Sequence, residues 1–404
     1  MTYRPPAPDP RPTGVTLTNW DLGGGPSSWA YLNAGELFPT VEIGGAHPVA
    51  VLPEDEQPEI AGLAVEPGLT LDEYVTSGPV DGIVVVKEGC IAYERYPRMR
   101  PDQRHLLMSV SKAFVSAVVG ILEQRGALYL GRPVDAVIDD LRHSGWAGAS
   151  AGSVLAMASG IDCPEVGSPG SYDDPAHPFY RFEASLGWRP SDGGSGAPDS
   201  GLRPSTYEFV SRLRAARPPD QVYEYTSVNT FVLSWLVERV AGTGFHDVLA
   251  RELWDHVGFE APAQLCVSPA GAPVSHGGLS MTVRDVARFG MLFTPSAGVI
   301  SDAPIIGGDH LRRIQEGGRH ELHPDGARAP AHLTAAYGSP LPPASRQWDH
   351  VIEDGDLFKG GFGGQGLYVS PARDLVVAFT GTPQEDGSVN LLRSYCRRLA
   401  RALG

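Results

Sequence analysis

The sequence predicts an α/β fold, in which an antiparallel sheet is flanked by helices and a mainly helical domain is inserted between the halves of the sheet. Two β-rich stretches surround the turn signal Lys-Glu-Gly at residues 87–89, and two more surround residues 370–374 near the end of the chain. An isolated hairpin is marginally stable in water, so the two hairpins are expected to join in one sheet. The chain between them has helical periodicity.

Helices are predicted where apolar residues recur three and four positions apart. These segments are residues 109–125, 227–241, 245–257, 283–293 and 390–403. Thr282 and Asp285 resemble a capping box at the start of the fourth segment. We therefore expect a flexible N-terminal arm (1–15), an α/β domain made from both ends of the chain (16–134 and 271–404) and a mainly helical domain (135–270).

A lid loop is predicted over residues 164–204. This stretch is dense in Gly, Pro, Ser and Asp, and it also contains Tyr172, Tyr180, Phe182 and Trp188. Segments longer than about 15 residues without regular structure are usually either functional or disordered. The interleaved aromatic side chains favour a lid over a disordered linker.

Composition disfavours several classes of partner. The 404 residues are 42% hydrophobic and 20% charged, which leaves ample apolar material for a packed core. The 47 acidic residues outnumber the 32 Lys and Arg, and the resulting net charge of −15 disfavours nucleic acid and anionic membrane surfaces. No apolar run reaches the roughly 20 residues that a membrane-spanning helix requires.

The chain is expected to be cytoplasmic. Its start, MTYRPPAPDPRPTG, is rich in Pro and lacks the apolar stretch of a secretion signal. The cysteines form no CxxC pair and have no His at metal spacing, so free thiols are expected at Cys90, Cys163, Cys266 and Cys396.

The sharpest chemical motif is Ser109-Val-Ser-Lys112, at the start of the first predicted helix. Residues three apart on a helix share a face, so the Ser109 hydroxyl and the Lys112 amine are expected to meet. Serine becomes a nucleophile when a base takes its proton, and a buried lysine with a lowered pKa can be that base. The helix N-terminus adds backbone N–H groups that suit an oxyanion. The simpler alternative is a Ser N-cap followed by a surface lysine.

A second motif, Tyr225-Thr-Ser227-Val-Asn229, lies at the start of another predicted helix. A phenol near a lysine ammonium is pulled toward phenolate, which makes Tyr225 a candidate general base and later a proton donor to the leaving group. Ser227 and Asn229 are candidates to hold the lysine or to polarise a substrate amide. The alternative is that Tyr225 only covers a hydrophobic patch.

A third motif, Lys-Gly-Gly-Phe-Gly-Gly-Gln-Gly at residues 359–366, lies immediately before a predicted strand. Its glycines would let a substrate lie against the strand edge, with backbone N–H groups directed at a carbonyl oxygen. The GxGxxG pattern inside it does not indicate a dinucleotide site, because a strand follows it and no βαβ unit surrounds it. An ordinary Gly-rich loop is the alternative.

In order, the three motifs resemble the SxxK, SDN and KTG motifs of the penicillin-recognising serine hydrolases, the family of β-lactamases and penicillin-binding proteins. The chain is most similar to the class C β-lactamase and esterase branch, where a Tyr motif replaces SDN, and within it to the aminohexanoate-dimer (nylon-oligomer) hydrolases. The similarity is strongest over residues 104–112, 225–240 and 277–290, and weaker similarity spans nearly the whole chain. The resemblance implies a β-lactamase-like fold with the site in the groove between two domains.

The resemblance also implies roles for individual residues. Ser109 would be the acylated nucleophile, Lys112 its proton acceptor, and Tyr225 the residue that relays the proton to the leaving group. The backbone N–H groups of Ser109 and Phe362 would form the oxyanion hole. The residues expected to contact the substrate are Ser227, Asn229, Lys359, Gly361, Glu183, His276, Tyr172 and Trp188.

Three departures from the family pattern bear on the substrate. Lys359 matches the lactamase lysine that faces a substrate carboxylate, whereas the aminohexanoate-dimer hydrolases lack a lysine there; an exposed loop lysine is the alternative. Gly363 replaces a histidine of some relatives. The lid tyrosine that assists amide cleavage falls on Gly167, with Tyr172 nearby in the same loop. These departures leave ester and amide substrates both open.

The predicted function is hydrolysis of a carboxylic ester or amide of a small molecule through an acyl-enzyme on Ser109. Neither a cofactor nor a metal is predicted, since His320-Glu-Leu-His323 is one residue short of a zinc motif. The first alternative is a transacylase that passes the acyl group to an amine or alcohol. The second is a catalytically inactive binding protein on the same fold. The sequence leaves monomer and homodimer open.

Overall fold

The computed structural model of the chain describes Pro12 and residues 14–191, 205–323, 331–338 and 341–404. Most of the predicted flexible arm (1–15) lies outside these residues, as do positions 192–204 of the predicted lid (164–204). The strands are β1 (Thr40–Ile43), β2 (Ala64–Glu66), β3 (Leu69–Thr70), β4 (Val80–Lys87), β5 (Cys90–Arg95), β6 (His105–Leu106), β7 (Ala263–Cys266), β8 (Leu279–Met281), β9 (His350–Val351), β10 (Leu357–Gly361), β11 (Gln365–Ser370) and β12 (Leu375–Gly381).

The main sheet joins the two ends of the chain. Within the described residues it has six antiparallel strands, in the order β5-β4-β12-β11-β10-β9. β4 and β5 form the first predicted hairpin, and β11 and β12 form the second. The hairpins join where β12 pairs with β4, with Val377 opposite Val85. The predicted antiparallel sheet built from both ends is therefore confirmed.

The helices surround this sheet and fill the middle of the chain. They are α1 (Gly24–Leu32), α2 (Ala34–Leu37), α3 (Pro58–Ala61), α4 (Leu71–Ser77), α5 (Ser111–Gln124), α6 (Ala151–Leu155), α7 (Pro178–Ser185), α8 (Thr206–Ser211), α9 (Ser227–Ala241), α10 (Phe245–Leu249), α11 (Val283–Met291), α12 (Gly308–Gln315), α13 (Ala331–Tyr337) and α14 (Leu392–Ala402). No described helix combines the length and the apolar content needed to cross a bilayer.

Each predicted helix is present, with changes at the ends. A 3₁₀ turn over Met108–Val110 precedes α5, and α10 continues as a π-helical turn over Ala250–Trp254. At the start of α11, Thr282 accepts the Asp285 N–H at 3.1 Å. The Asp285 carboxylate accepts the backbone N–H groups of Glu260 and Ala261 instead of returning to Thr282. The cap at Thr282 is therefore confirmed, and Asp285 anchors a neighbouring loop.

Both faces of the main sheet are buried. Along β4, Val84 and Val86 belong to one apolar cluster and Ile83 and Val85 to the other, as the two-residue period of a strand requires. The second cluster includes Tyr395, Cys396 and Leu399 of α14, whereas the first includes Val286 and Phe289 of α11. The run of apolar residues in β4 exists because a helix covers each face.

A second sheet fixes the chain just before the candidate nucleophile. Its order is β1-β7-β8-β6, and β6 pairs with β8 through His105 and Met281. The buried His105 ring also lies 3.0 Å from the Asp81 carboxylate in β4. The chain passes from β6 into the turn that contains Ser109, so these contacts determine where Ser109 stands.

Two buried helices begin at the candidate motifs. Every residue of α5 from position 111 to 122 is buried, and so is every residue of α9 from position 227 to 237. α5 begins one residue before Lys112, and α9 begins two residues after Tyr225. Burial along both helices holds their N-terminal ends rigidly at one place in the core.

Candidate active site

Ser109 stands in a strained turn between β6 and α5. Leu107 donates its backbone N–H to the Leu279 carbonyl of β8 at 2.8 Å, which extends the β6–β8 pairing to the turn itself. Met108 then has a φ of 49°, in the left-handed region that non-glycine residues rarely occupy. Such strain persists where the surrounding structure fixes it, and it is concentrated at functional sites. Ser109 itself is half-buried, with its hydroxyl available to a neighbour.

Lys112 is the partner of Ser109. Its side chain is 0% exposed, so the alternative of a surface lysine is wrong. Its Nζ donates to Ser109 Oγ at 2.8 Å and to the His276 carbonyl at 2.9 Å. Burial lowers the pKa of Lys112 to about 7, with Lys359 acting in the same direction and Glu165 opposing it. A substantial fraction of Lys112 is therefore neutral near neutral pH and able to accept a proton.

Tyr225 lies beside both lysines. The Nζ atoms of Lys112 and Lys359 are each 5.0 Å from the centre of its ring, and Lys359 Nζ is 3.5 Å from its hydroxyl. Burial, followed by the negative charges of Asp349 and Glu165, raises the pKa of Tyr225 well above its usual value. The expected pull toward phenolate is therefore wrong, because burial outweighs the hydrogen bond with Ser109 that lowers this pKa. The raised pKa favours the protonated phenol, so Tyr225 is a candidate proton donor and Lys112 is the better candidate for the base.

Strand β10 forms the opposite wall. Lys359 is 0% exposed and lies within β10, so it is not an exposed loop lysine. Its Nζ is 2.5 Å from Asp349 Oδ1. A Cβ added to Gly361 would lie 2.5 Å from the Leu107 carbonyl oxygen, so only glycine lets β10 approach the turn that carries Ser109.

Phe362, the second predicted oxyanion donor, follows β10 directly. Its side chain is 51% exposed, and its carbonyl accepts the Gln365 amide at 3.0 Å. Within the residues that the structure describes, its backbone N–H has no hydrogen-bond partner. A free N–H at the end of a strand packed against the Ser109 turn is what an oxyanion hole requires. The role of Phe362 and Ser109 as oxyanion donors stays a prediction.

Glu165 is a member of the site that the sequence did not indicate. It is 5% exposed, and its carboxylate accepts the Ser227 backbone N–H at 2.5 Å and the Tyr172 hydroxyl at 3.1 Å. Its charge raises the pKa of Lys112. Glu165 thus joins the lid to the start of α9, two residues after Tyr225. A single Glu in a Pro- and Gly-rich stretch carries no sequence pattern that could have identified it.

His276 is buried against Lys112. Its carbonyl accepts the Lys112 amine, and its ring packs 5.3 Å from Phe182 and 5.7 Å from Trp188, centre to centre. Neither ring nitrogen has a hydrogen-bond partner among the described residues. Burial, and then the charge of Lys112, lowers the pKa of His276 well below its usual value, so the ring is neutral.

Several residues expected at the substrate make other contacts. Trp188 packs in the core against Trp20 at 5.1 Å. The buried Glu183 binds Arg189 at 2.8 Å, so its carboxylate is already paired and is not solvated surface. Asn229 donates to the Met157 sulfur at 3.5 Å.

Tyr172 and Ser227 lie at the edge of the cluster, where Glu165 joins them. Ser227 donates its backbone N–H to Glu165. Within the described residues, no hydrogen bond joins the Ser227 side chain to Lys112. Tyr172 is 42% exposed, and its ring packs edge-on against Phe179 at 5.4 Å. Of the predicted site residues, the structure therefore gathers Ser109, Lys112, Tyr225 and Lys359 most closely.

This arrangement suits acyl transfer. The Ser109 hydroxyl contacts the Lys112 amine, which can be neutral. The protonated phenol of Tyr225 is a candidate proton donor. The end of β10 offers a backbone N–H at the same place.

Known proteins with similar sequences are hydrolases, in agreement with this chemistry. The family model "Beta-lactamase" matches residues 69–393, a segment that contains all three motifs. A 6-aminohexanoate-dimer hydrolase from Paenarthrobacter ureafaciens is 30% identical over 374 residues, which cover 92% of this chain and 89% of that protein.

Solved structures share the fold. A candidate 6-aminohexanoate-dimer hydrolase from Bacillus anthracis superposes with a TM-score of 0.76 at 20% identity, covering 98% of this chain and 97% of that one. EstCE1, described as a hydrolase with promiscuous acyltransferase activity, superposes with a TM-score of 0.56 at 14% identity, covering 81% and 96% of the two chains.

Proposed function

The chain belongs to the β-lactamase family of hydrolases, and on that premise we propose that it cleaves a carboxylic ester or amide of a small molecule through an acyl-enzyme on Ser109. The observation that carries the proposal is the 2.8 Å contact between the Ser109 hydroxyl and a buried Lys112 whose pKa lies at about 7. A serine without such a base is a poor nucleophile.

In the acylation step, Ser109 Oγ attacks the substrate carbonyl carbon as its proton passes to Lys112. The carbonyl oxygen becomes an oxyanion, which the backbone N–H groups of Ser109 and Phe362 stabilise; each such donor is commonly worth ~3 kcal/mol. Collapse of the tetrahedral intermediate breaks the bond to the leaving group, which takes a proton from Tyr225. Lys112 returns its proton to Tyr225, so the residues regain their starting protonation.

In the deacylation step, water attacks the ester carbon of acyl-Ser109 and gives a proton to Lys112. The second tetrahedral intermediate collapses, the bond to Ser109 Oγ breaks, the acid departs, and Lys112 returns its proton to Ser109 Oγ. An amine or alcohol in place of water would give an amide or ester instead of the acid. We propose water as the acceptor of the acyl group. Transfer to an added amine would instead give an amide product.

The relative from Paenarthrobacter ureafaciens is named as a 6-aminohexanoate-dimer hydrolase, and a dimer of an amino acid is joined by an amide bond. The resemblance to these hydrolases implies that their assisting lid tyrosine falls on Gly167 of this chain, and the Tyr172 hydroxyl nearby donates to Glu165. We therefore propose esters as the first substrates to examine, with linear amides second.

Intact-mass spectrometry tests the proposal. The wild type is mixed with esters, amides and β-lactams, and a covalent adduct of the acyl mass is expected to form and decay. Ser109→Ala should form none, whereas Ser116→Ala, which removes a buried hydroxyl without a partner in the described residues, should behave like the wild type. Adding an amine and analysing products separates hydrolysis from transfer. An adduct that persists in Ser109→Ala contradicts the proposal, and no adduct from any probe favours a binding protein.

We also propose a cytoplasmic location. Cys90, Cys163, Cys266 and Cys396 are free thiols, which suits a reducing compartment.

A further inference from the structure

An acidic side chain neutralises the cation of β10 from within the protein. Asp349 Oδ1 is 2.5 Å from Lys359 Nζ, and Asp349 Oδ2 accepts the Gly360 backbone N–H at 2.9 Å. The same Lys359 Nζ is 3.5 Å from the Tyr225 hydroxyl. Asp349 thus fixes both the charge and the position of the ammonium that stands beside the candidate proton donor.

The segment that carries Asp349 is strained and firmly tethered. Arg346 and Gln347 have φ values of 46° and 71°, which cost free energy in residues other than glycine. Gln347 accepts the Thr230 hydroxyl at 2.6 Å and donates to the Leu155 carbonyl at 2.9 Å. These contacts with the helical layer hold the two unfavourable conformations in place, so the position of Asp349 is tightly determined.

Solvent reaches the anion of this pair and not the cation. The Asp349 side chain is 19% exposed, whereas that of Lys359 is 0% exposed. Tyr225 and Asp349 also line one common small pocket with Met157 and Tyr223. A buried ammonium beside a substrate cleft would attract an anionic group of the substrate if it lacked a protein partner. Here a protein carboxylate already occupies that place.

We propose that Asp349 is a specificity-determining residue: it gives Lys359 the carboxylate that the lysine would otherwise take from a substrate, so the site accepts acyl groups without a carboxylate. The inference rests on the proposed function. It distinguishes two substrate classes, uncharged esters and esters whose acyl chain ends in a carboxylate. Removing Asp349 should improve the binding of esters with a terminal carboxylate relative to uncharged esters.

Two chromogenic esters test this: p-nitrophenyl butyrate, which is uncharged, and mono-p-nitrophenyl glutarate, which carries a carboxylate. The wild type is expected to favour the butyrate. In Asp349→Ala, the KM for the glutarate should fall about tenfold relative to that for the butyrate, because a charged hydrogen-bonded pair can form with Lys359. Asp349→Asn, which keeps the size of the side chain, should change the same ratio if Asp349→Ala fails to fold.

Two controls keep the outcomes distinct. Glu353→Ala removes an exposed charge from the same segment and should leave the KM ratio unchanged. In Asp349→Ala/Lys359→Met the new preference for glutarate should disappear. If Asp349→Ala changes both KM values equally, or the double variant keeps the preference, the inference is overturned while the proposed function stands. If neither ester acylates Ser109 in the wild type, the proposed function fails on esters and the inference fails with it.

Discussion

In the proposed mechanism, Lys112 determines the pH range in which the site can react. Its amine touches the Ser109 hydroxyl, and its side chain is completely buried. An ammonium cannot accept the Ser109 proton, so only the neutral fraction of Lys112 supports acylation. Burial is the main reason that its pKa falls from 10.5 to about 7, which brings the base into its working range near neutral pH.

The pH dependence of activity follows from this pKa. Because the basic form of Lys112 is required, kcat/KM should rise with pH and level off above an apparent pKa of about 7. Lys112→Arg places a guanidinium that stays protonated at this position, so kcat/KM should fall by at least about a hundredfold at every pH. Stopped or continuous ester assays from pH 5 to 9 measure both effects. An acid limb near the pKa of a free carboxyl group, or an active Arg variant, contradicts the role of Lys112.

At the scale of elements, β10 and the Ser109 turn are fitted to one another. Gly361 permits this fit, since an added Cβ would lie 2.5 Å from the Leu107 carbonyl oxygen and 2.9 Å from Gln365 Cβ. Backbone cannot yield to such a contact without moving the strand. The strand end also carries Phe362, so its position sets the geometry of the proposed oxyanion hole.

Gly361→Ala should therefore lower kcat/KM by about ten- to a hundredfold, because misplacement of a reacting group by about 1 Å costs that much. The effect should be mainly on kcat, since the oxyanion forms only as reaction proceeds. Gly298→Ala is the matched control, because nothing lies within 4 Å of its added Cβ. Steady-state kinetics and thermal melting of both variants provide the measurement. An unchanged kcat in a folded Gly361→Ala protein would contradict the proposal that the end of β10 contributes to the oxyanion hole.

Regular elements were predictable because their patterns are local. The apolar runs of β4 and β12 and the turns between strands identify both hairpins, and periodicity identifies α5 and α9. The two-residue strand β6 has no period to detect, although it sets the position of Ser109. Short strands of this kind are defined by their partners, which the local sequence does not specify.

The local part of the candidate site was likewise predictable, whereas the part that depends on long-range contacts was not. Ser109 and Lys112 are one helical turn apart, so spacing alone predicts their contact. Glu165 and Asp349 are single acidic residues in irregular segments, and their roles depend on long-range contacts with Ser227 and Lys359. The pKa of Tyr225 was mispredicted for a related reason, since the burial that raises it comes from the whole fold.

At the scale of the whole molecule, a buried charge cluster ties the start of the chain to the predicted lid. Arg189 contacts Asp21 at 2.5 Å and Glu183 at 2.8 Å, and all three residues are at most 6% exposed. Asp21 and Arg189 are 168 positions apart. Removing one member of such a cluster leaves buried charge without compensation, which is far more costly than losing an exposed pair.

Arg189→Met should therefore lower the free energy of unfolding by about 3–5 kcal/mol at pH 8. The loss should shrink as the pH falls. Burial already raises the pKa of Glu183 to about 7 against the opposing charge of Arg189, and without Arg189 this pKa rises further. An acid whose pKa is higher in the folded state than in the unfolded state contributes stability at low pH and loses it as the pH rises.

Denaturant titrations at pH 5, 6, 7 and 8 measure this difference between the wild type and Arg189→Met. In Glu183→Gln/Arg189→Met the pH dependence of the difference should be smaller, because one of the two carboxylates that Arg189 contacts is gone. Arg142→Ala is the control for an exposed pair: Arg142 and Asp139 side chains are 57% and 73% exposed, so less than about 1 kcal/mol should be lost at any pH. A loss in Arg189→Met that is constant with pH would show that Arg189 acts by packing rather than by charge, and the cluster would then not be an electrostatic link between the start of the chain and the predicted lid.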